Sequence, residues 1–181
     1  MTGRRRVEAC GPLPPARPPP LAPRPAPGER CAVPPAALTP RDPAFDARVR
    51  ASFARQRFMA TLGATLERVA PGEVTIALPY RDDLTQQHGF LHAGVVTAVV
   101  DSACGYAALS LMEPGAGVVS VEFKINLLAP AVGERFVAAA RVVKAGRTLT
   151  VCGGELTAGT TVVAVMQATM MAVRGREGVA D

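Results

Sequence analysis

Residues 86–111 read QQHGFLHAGVVTAVVDSACGYAALSL: a polar, glycine-bearing loop runs into a long apolar segment interrupted by one carboxylate, Asp101. From Ala93 to Leu111 there is no proline and no other charge, and the length suits a helix covered on most of its faces. An ionised group is expensive to keep in such surroundings, so Asp101 needs a reason. Gly94, Ala98, Asp101, Gly105 and Ala108 recur at steps of three and four, which puts the carboxylate on a stripe of very small residues. A sheet, a ligand or the same helix of a second subunit would have to approach that stripe closely.

Downstream of this helix the chain reads as strand. Residues 118–128, 134–144, 148–157 and 161–173 are rich in β-branched side chains and are separated by short segments containing Pro130, Gly133, Gly146 and Gly159. Upstream, alternation in Val74, Ile76 and Leu78 and the Pro71-Gly72 pair predict a hairpin of residues 64–70 and 73–79. Before it, Phe45, Val49 and Phe53 recur every four residues and lead to Phe58 and Met59. Residues 44 to about 61 therefore form an amphipathic helix with arginines on its wet face, begun near Pro43 and ended at Gly63. Short links between consecutive strands imply an antiparallel sheet. The fold class is α+β: a curved sheet of about six strands wrapped around one long central helix, preceded by an N-terminal helix.

The 181 residues allow one domain of ordinary size, and 49% hydrophobic content is that of a packed core. Residues 1–43 hold thirteen of the seventeen prolines, which predicts an extended, mobile Pro/Arg-rich tail; the domain spans 44–175, and 176–181 form a C-terminal tail. Seven of the twenty basic residues and three of the fifteen acids fall in 1–43, so most of the net charge of +5 belongs to the tail. The folded part is nearly neutral and only 4% of the chain is aromatic, which argues against nucleic acid as a partner. Cys10, Cys31, Cys104 and Cys152 lack CxxC spacing, so neither a disulfide framework nor zinc is expected. No secretory signal is evident, and Asp101 bisects the best apolar run, so the reading is a cytoplasmic protein that does not span a membrane.

The sequence His92-Ala93-Gly94, the apolar run with Asp101 nine residues after His92, and the later stretch VSVEFKINLLAPAVGE together resemble the PaaI-like acyl-CoA thioesterases of the hotdog fold. The resemblance covers roughly residues 60–173. It implies that Asp101 attacks a thioester carbonyl or activates water, and that the backbone N–H of Ala93, just after His92, polarises the carbonyl oxygen. It further implies that Gln86 positions water or the carboxylate and that the Ser120 hydroxyl assists. The implied substrate is a small or medium acyl-CoA or an aryl-CoA, with no cofactor beyond the CoA of the substrate itself. Two positions depart from the family: Gln86 stands where Asn is usual, and Ala93 where Gly is usual, which requires negative φ at Ala93.

Ala93 and Asp101 are eight residues apart, roughly 12 Å along one helix, so they cannot serve the same carbonyl. If both act, they come from two helices lying side by side in opposite senses, as in a homodimer. A dimer of dimers is left open. His92 reads as an acid-base group or as the source of a loop-fixing hydrogen bond, and His88 with His92 lacks the Glu of a zinc helix. Cys104 reads as a small buried filler. Lys144 and Arg147 flank the turn at Ala145-Gly146, either as a solvated hairpin tip or as a holder of CoA phosphates. The rival from another class is an acyl-CoA-binding protein without turnover, suggested by the departures at Gln86 and Ala93. A hotdog dehydratase is disfavoured, because only Gln86 stands where a second acid-base group would be needed.

Overall fold

The computed structural model describes residues 38–179. Two short helices, α1 (Phe45–Arg55) and α2 (Arg57–Leu62), lead into the hairpin of β1 (Thr65–Ala70) and β2 (Glu73–Pro79). A single 3₁₀ turn at Asp82–Leu84 precedes the central helix α3 (Ala93–Leu109). Four strands follow: β3 (Gly117–Leu127), β4 (Arg135–Ala145), β5 (Leu149–Ala158) and β6 (Thr161–Val173). They complete a six-stranded antiparallel sheet of order β1-β2-β4-β5-β6-β3, so the strand that follows α3 lies at the far edge of the sheet.

The helix α3 lies across the inner face of this sheet. Val96, Val99, Val100, Ala103, Cys104, Ala107 and Leu109 are buried against Ile76, Leu78, Phe136, Leu156 and Met170. Small residues on the central strands make room for it, Ala138, Ala140 and Ala168 among them. Gly154 shows how close the approach is: a Cβ there would stand 2.7 Å from Val100 Cγ1 and 2.9 Å from Cys104 Sγ. Cys104 and Cys152 are free, buried thiols, and burial pushes both up, Cys152 to about 12, so they behave as filler.

The end of α3 is fastened from two sides. Ser110 Oγ donates to the Ala107 carbonyl (2.7 Å) and accepts from Gly72 N–H (2.8 Å), joining the turn of the first hairpin to the helix. The Arg48 guanidinium, from α1, donates to the carbonyls of Leu109 (3.0 Å), Met112 (2.7 Å) and Glu113 (2.5 Å), and it pairs with Asp42 at 3.2 Å. Leu109 is the last residue of α3, and Met112 and Glu113 belong to the turn beyond it, so one guanidinium ties both to α1. The folded body thus begins before the change of composition at Pro43: Asp42 is buried and Leu38 packs against the core. The rest of the Pro/Arg-rich segment, residues 1–37, lies outside the described residues.

The single amphipathic helix expected over 44–61 is two helices. Gln56 breaks it, with ψ of 89°, and the amide of its side chain is directed to α3, where Nε2 donates to Ser102 Oγ at 3.3 Å. Neither proline nor glycine marks the break in the sequence. Of the apolar pair Phe58 and Met59, only Met59 enters the core.

Candidate active site

The loop before α3 is built from its own backbone. Gln86 N–H donates to Phe90 O (2.9 Å), Gly89 N–H donates to Gln86 O (3.0 Å) with Gly89 at φ of 79°, and Thr85 bridges Leu91. The Gln86 side-chain carbonyl accepts from His88 N–H. Its oxygen is thereby used within the loop, and the amide Nε2–H remains as the group it can offer outward.

His92 is the N-cap of α3. Its Nδ1 accepts from Gly94 N–H at 2.9 Å, and its backbone carbonyl accepts from Val95 and Val96. The accepting Nδ1 places the proton of the neutral ring on Nε2. Gly94 permits this contact, because a Cβ there would stand 3.0 Å from His92 Nδ1. The expected loop-fixing role of the histidine therefore has a definite form.

With those bonds made, the Ala93 N–H is left without an acceptor among the described residues. It is exposed, at the positive end of an apolar helix, and φ is negative there, as at every described non-glycine residue. Beside it lies an open, apolar cleft of about 370 Å³ lined by Gln86, Phe90, Leu91, Val96, Leu127 and Leu128 among others. Phe90, Leu91 and Leu127 are its large apolar walls, whereas Phe123, also on β3, does not line it.

Asp101 lies two turns further along α3, about 12 Å from Ala93 by helical rise. Ser120 Oγ on β3 donates to Asp101 Oδ1 at 2.8 Å. A bulge between Ser120 and Glu122 accounts for this aim: Ser120 opposes Met170, Glu122 opposes Thr169, and Val121 is the extra residue. Burial raises the Asp101 carboxyl above its ordinary range, and the Ser120 hydrogen bond works in the opposite direction. The surrounding recess, of about 190 Å³, is bordered by Gly105 of the small-residue stripe and by residues that the sequence did not single out: Ser52 and Gln56 from the N-terminal segment, and Ser102 and Tyr106 from α3. Only the break at Gln56 could have pointed to them, and it has no signature in the sequence.

Lys144, at the end of β4, and Arg147, in the β4–β5 turn, lie elsewhere, and that turn shares a recess with Leu111 and Met112 just after α3. Lys144 is exposed. Arg147 shares an open cavity of about 540 Å³ with Arg41, Glu113, Thr148 and Arg174. Glu113 accepts from Arg174 and from Arg41 (3.2 Å), and Arg174's hydrogen bond, as the largest influence, pulls its carboxyl down to about 2. Three guanidinium groups around one carboxylate leave a local excess of positive charge. Among the described residues no three of His, Cys, Asp and Glu converge on one point, and no helix is long and apolar enough to cross a membrane.

A buried apolar helix wrapped by an antiparallel sheet, with a lone acid on its uncovered line and a free N–H at its start, is the architecture of the hotdog fold. The sequence profile of the thioesterase superfamily matches residues 88–165. Human acyl-coenzyme A thioesterase 13 is 35% identical over 111 residues, covering 60% of this chain and 79% of that protein. A solved thioesterase family protein from Silicibacter pomeroyi is 56% identical with a TM-score of 0.71, over 72% of this chain and 99% of that one. The E. coli PaaI protein shares the fold (TM-score 0.68) at 20% identity, over 72% and 94% of the two chains. The chain belongs to the thioesterase superfamily and is a thioester hydrolase.

Proposed function

We propose that the protein hydrolyses acyl-CoA thioesters with small or medium acyl groups, or aryl-CoA esters, as a homodimer in which each site is shared between two protomers. The observation that carries this reading is the separation of two groups along α3. An unoccupied N–H stands at Ala93 and a poised carboxylate at Asp101, too far apart to meet on one carbonyl.

A second chain is expected along β3. This strand of eleven residues is a sheet edge, unpaired on one side, with Val121 at 52% and Phe123 at 44% exposure. A two-fold axis normal to the sheet at that edge would set the two α3 helices side by side in opposite senses. Ser120 already draws Asp101 toward that edge. Ala93 of one protomer would then face Asp101 of its partner.

In the shared site the thioester carbonyl oxygen accepts from the Ala93 N–H, and the helix dipole favours the charge that develops on it. The Asp101 carboxylate either takes a proton from the attacking water or adds to the carbonyl carbon. In the second case the resulting anhydride is cleaved by water. Either route breaks the C–S bond, expels the CoA thiolate, and consumes one water to give the free acid and thiol. His92 holds the helix start in register, Gly94 admits its ring, and Gln86 Nε2–H is available to orient water or the carboxylate. The apolar cleft beside Ala93 suits an acyl chain. Arg147, with Arg41 and Arg174, suits CoA phosphates; Lys144 at the same turn adds charge without a formed contact.

Purified protein is expected to release free thiol from acyl-CoA, and Asp101→Asn to reduce kcat by at least about a hundredfold while the oligomer persists. Wild-type activity in that variant would remove Asp101 from the chemistry. Thermal stabilisation by acyl-CoA with no thiol released would favour binding without turnover, the rival suggested by Gln86 and Ala93. The same variant bears on stability: burial raises the folded-state pKa of Asp101 above its unfolded value, so this group favours the folded state at low pH and loses that contribution as pH rises through the raised pKa. At pH 7 Asp101→Asn is therefore expected to melt no lower than the wild type, as differential scanning calorimetry would check.

A further inference from the structure

Glycine inside a helix needs a reason, because it weakens the helix relative to alanine. For Gly94 the chain itself supplies one, since a Cβ there would press on the His92 ring. At Gly105 the chain supplies none: a Cβ built there meets no atom within 4 Å. Yet Gly105 lies one turn after Asp101, on the line of α3 that the sheet leaves uncovered, and it borders the recess that holds Asp101 and Ser120.

The uncovered line divides in two. Its N-terminal half, with Gly94 and Ala98, lies outside the recess and is free for a partner helix. Its C-terminal half, with Asp101 and Gly105, shares a concavity with Ser52 and Gln56 from the N-terminal helices. A partner helix needs a ridge-and-groove surface, whereas a small recess with hydroxyl and amide walls is shaped for a chain-like ligand.

We propose that Gly105 is a specificity-determining residue of the hydrolytic site: the space left by its missing side chain is filled by the substrate chain next to the scissile carbonyl. This rests on the reading of Asp101 as the group that acts on that carbonyl. Both the acyl chain and the amide-bearing thiol arm are flexible chains flanking the carbonyl, and substrate variation separates them.

The test is a size series, Gly105→Ala and Gly105→Leu, in the full-length protein. Alanine should raise Tm by about 2–4 °C through helix propensity while lowering kcat/KM at least tenfold, and leucine should abolish turnover with the oligomer intact. A penalty that grows with acyl length assigns the space to the acyl chain. A constant penalty that shrinks for acyl-pantetheine relative to acyl-CoA assigns it to the thiol arm. Unchanged kcat/KM in Gly105→Ala for every acyl-CoA tried, or dissociation of the oligomer, would overturn the proposal and return Gly105 to the subunit contact. Binding is measured separately with a non-hydrolysable acyl-CoA ketone in the Asp101→Asn background. Affinity that survives there but is lost on adding Gly105→Leu supports the slot even if the role given to Asp101 fails. Affinity that survives leucine refutes it.

Discussion

Asp101 and Ser120 are the smallest unit of the proposed site, and within it the hydroxyl opposes what burial does to the acid. Burial lifts the carboxyl and the 2.8 Å hydrogen bond lowers it, so removing the hydroxyl leaves burial unopposed. If the ionised form is the active one, the acidic limb of the kcat/KM profile should already lie above the ordinary carboxylate range. In Ser120→Ala it should move further upward, with lower activity at mildly acidic pH and partial recovery at high pH; an unmoved limb would separate Ser120 from the ionisation. Asp101 was legible in the sequence because one charge in a nineteen-residue apolar run has no ordinary explanation. Ser120 was found through family resemblance alone, since a hydroxyl in a strand is commonplace. Ser52 and Gln56 were not found at all, because a polar residue on an arginine-rich helix looks solvated until the chain folds it over α3.

Among the elements, α3 and the long strands were readable to within a residue or two, because their patterns are long and their breaks contain glycine or proline. The N-terminal helix was not, because its break falls at Gln56, whose one marked feature is a tertiary contact with Ser102 that no local pattern announces. The bulge in β3 was equally silent, since one extra residue among alternating valines changes no local preference. The Arg48–Asp42 pair was also missed, yet it fastens α1 to the end of α3 with side chains only 10% and 8% exposed. Arg48→Met would leave the buried Asp42 carboxylate without its charge partner and strip a donor from the Leu109, Met112 and Glu113 carbonyls, and is expected to destabilise the fold by about 3–5 kcal/mol in urea denaturation. Adding Asp42→Asn should increase the loss by less than its own single effect, since the partner is already gone.

At the level of the whole molecule, the proposed pairing along β3 makes association and activity inseparable. Val121→Lys places a charge on the exposed bulge of the edge strand, and is expected to yield a monomer by light scattering that folds but does not turn over. A monomer that retained activity would mean that one chain holds a complete site. The sequence reached this level only through arithmetic: eight residues of helix are too long for one carbonyl to bridge.

That same spacing has a genetic corollary. A chain lacking the acid, Asp101→Asn, and a chain with a disordered helix start, such as Gly94→Val, are each inert alone, but their lesions fall on opposite halves of every site. Unfolded together in equal amounts and refolded, they should form mixed pairs in which one site inherits both intact halves and the other inherits both defects. Statistical assortment then restores about a quarter of normal turnover from two dead parents, the signature of intragenic complementation.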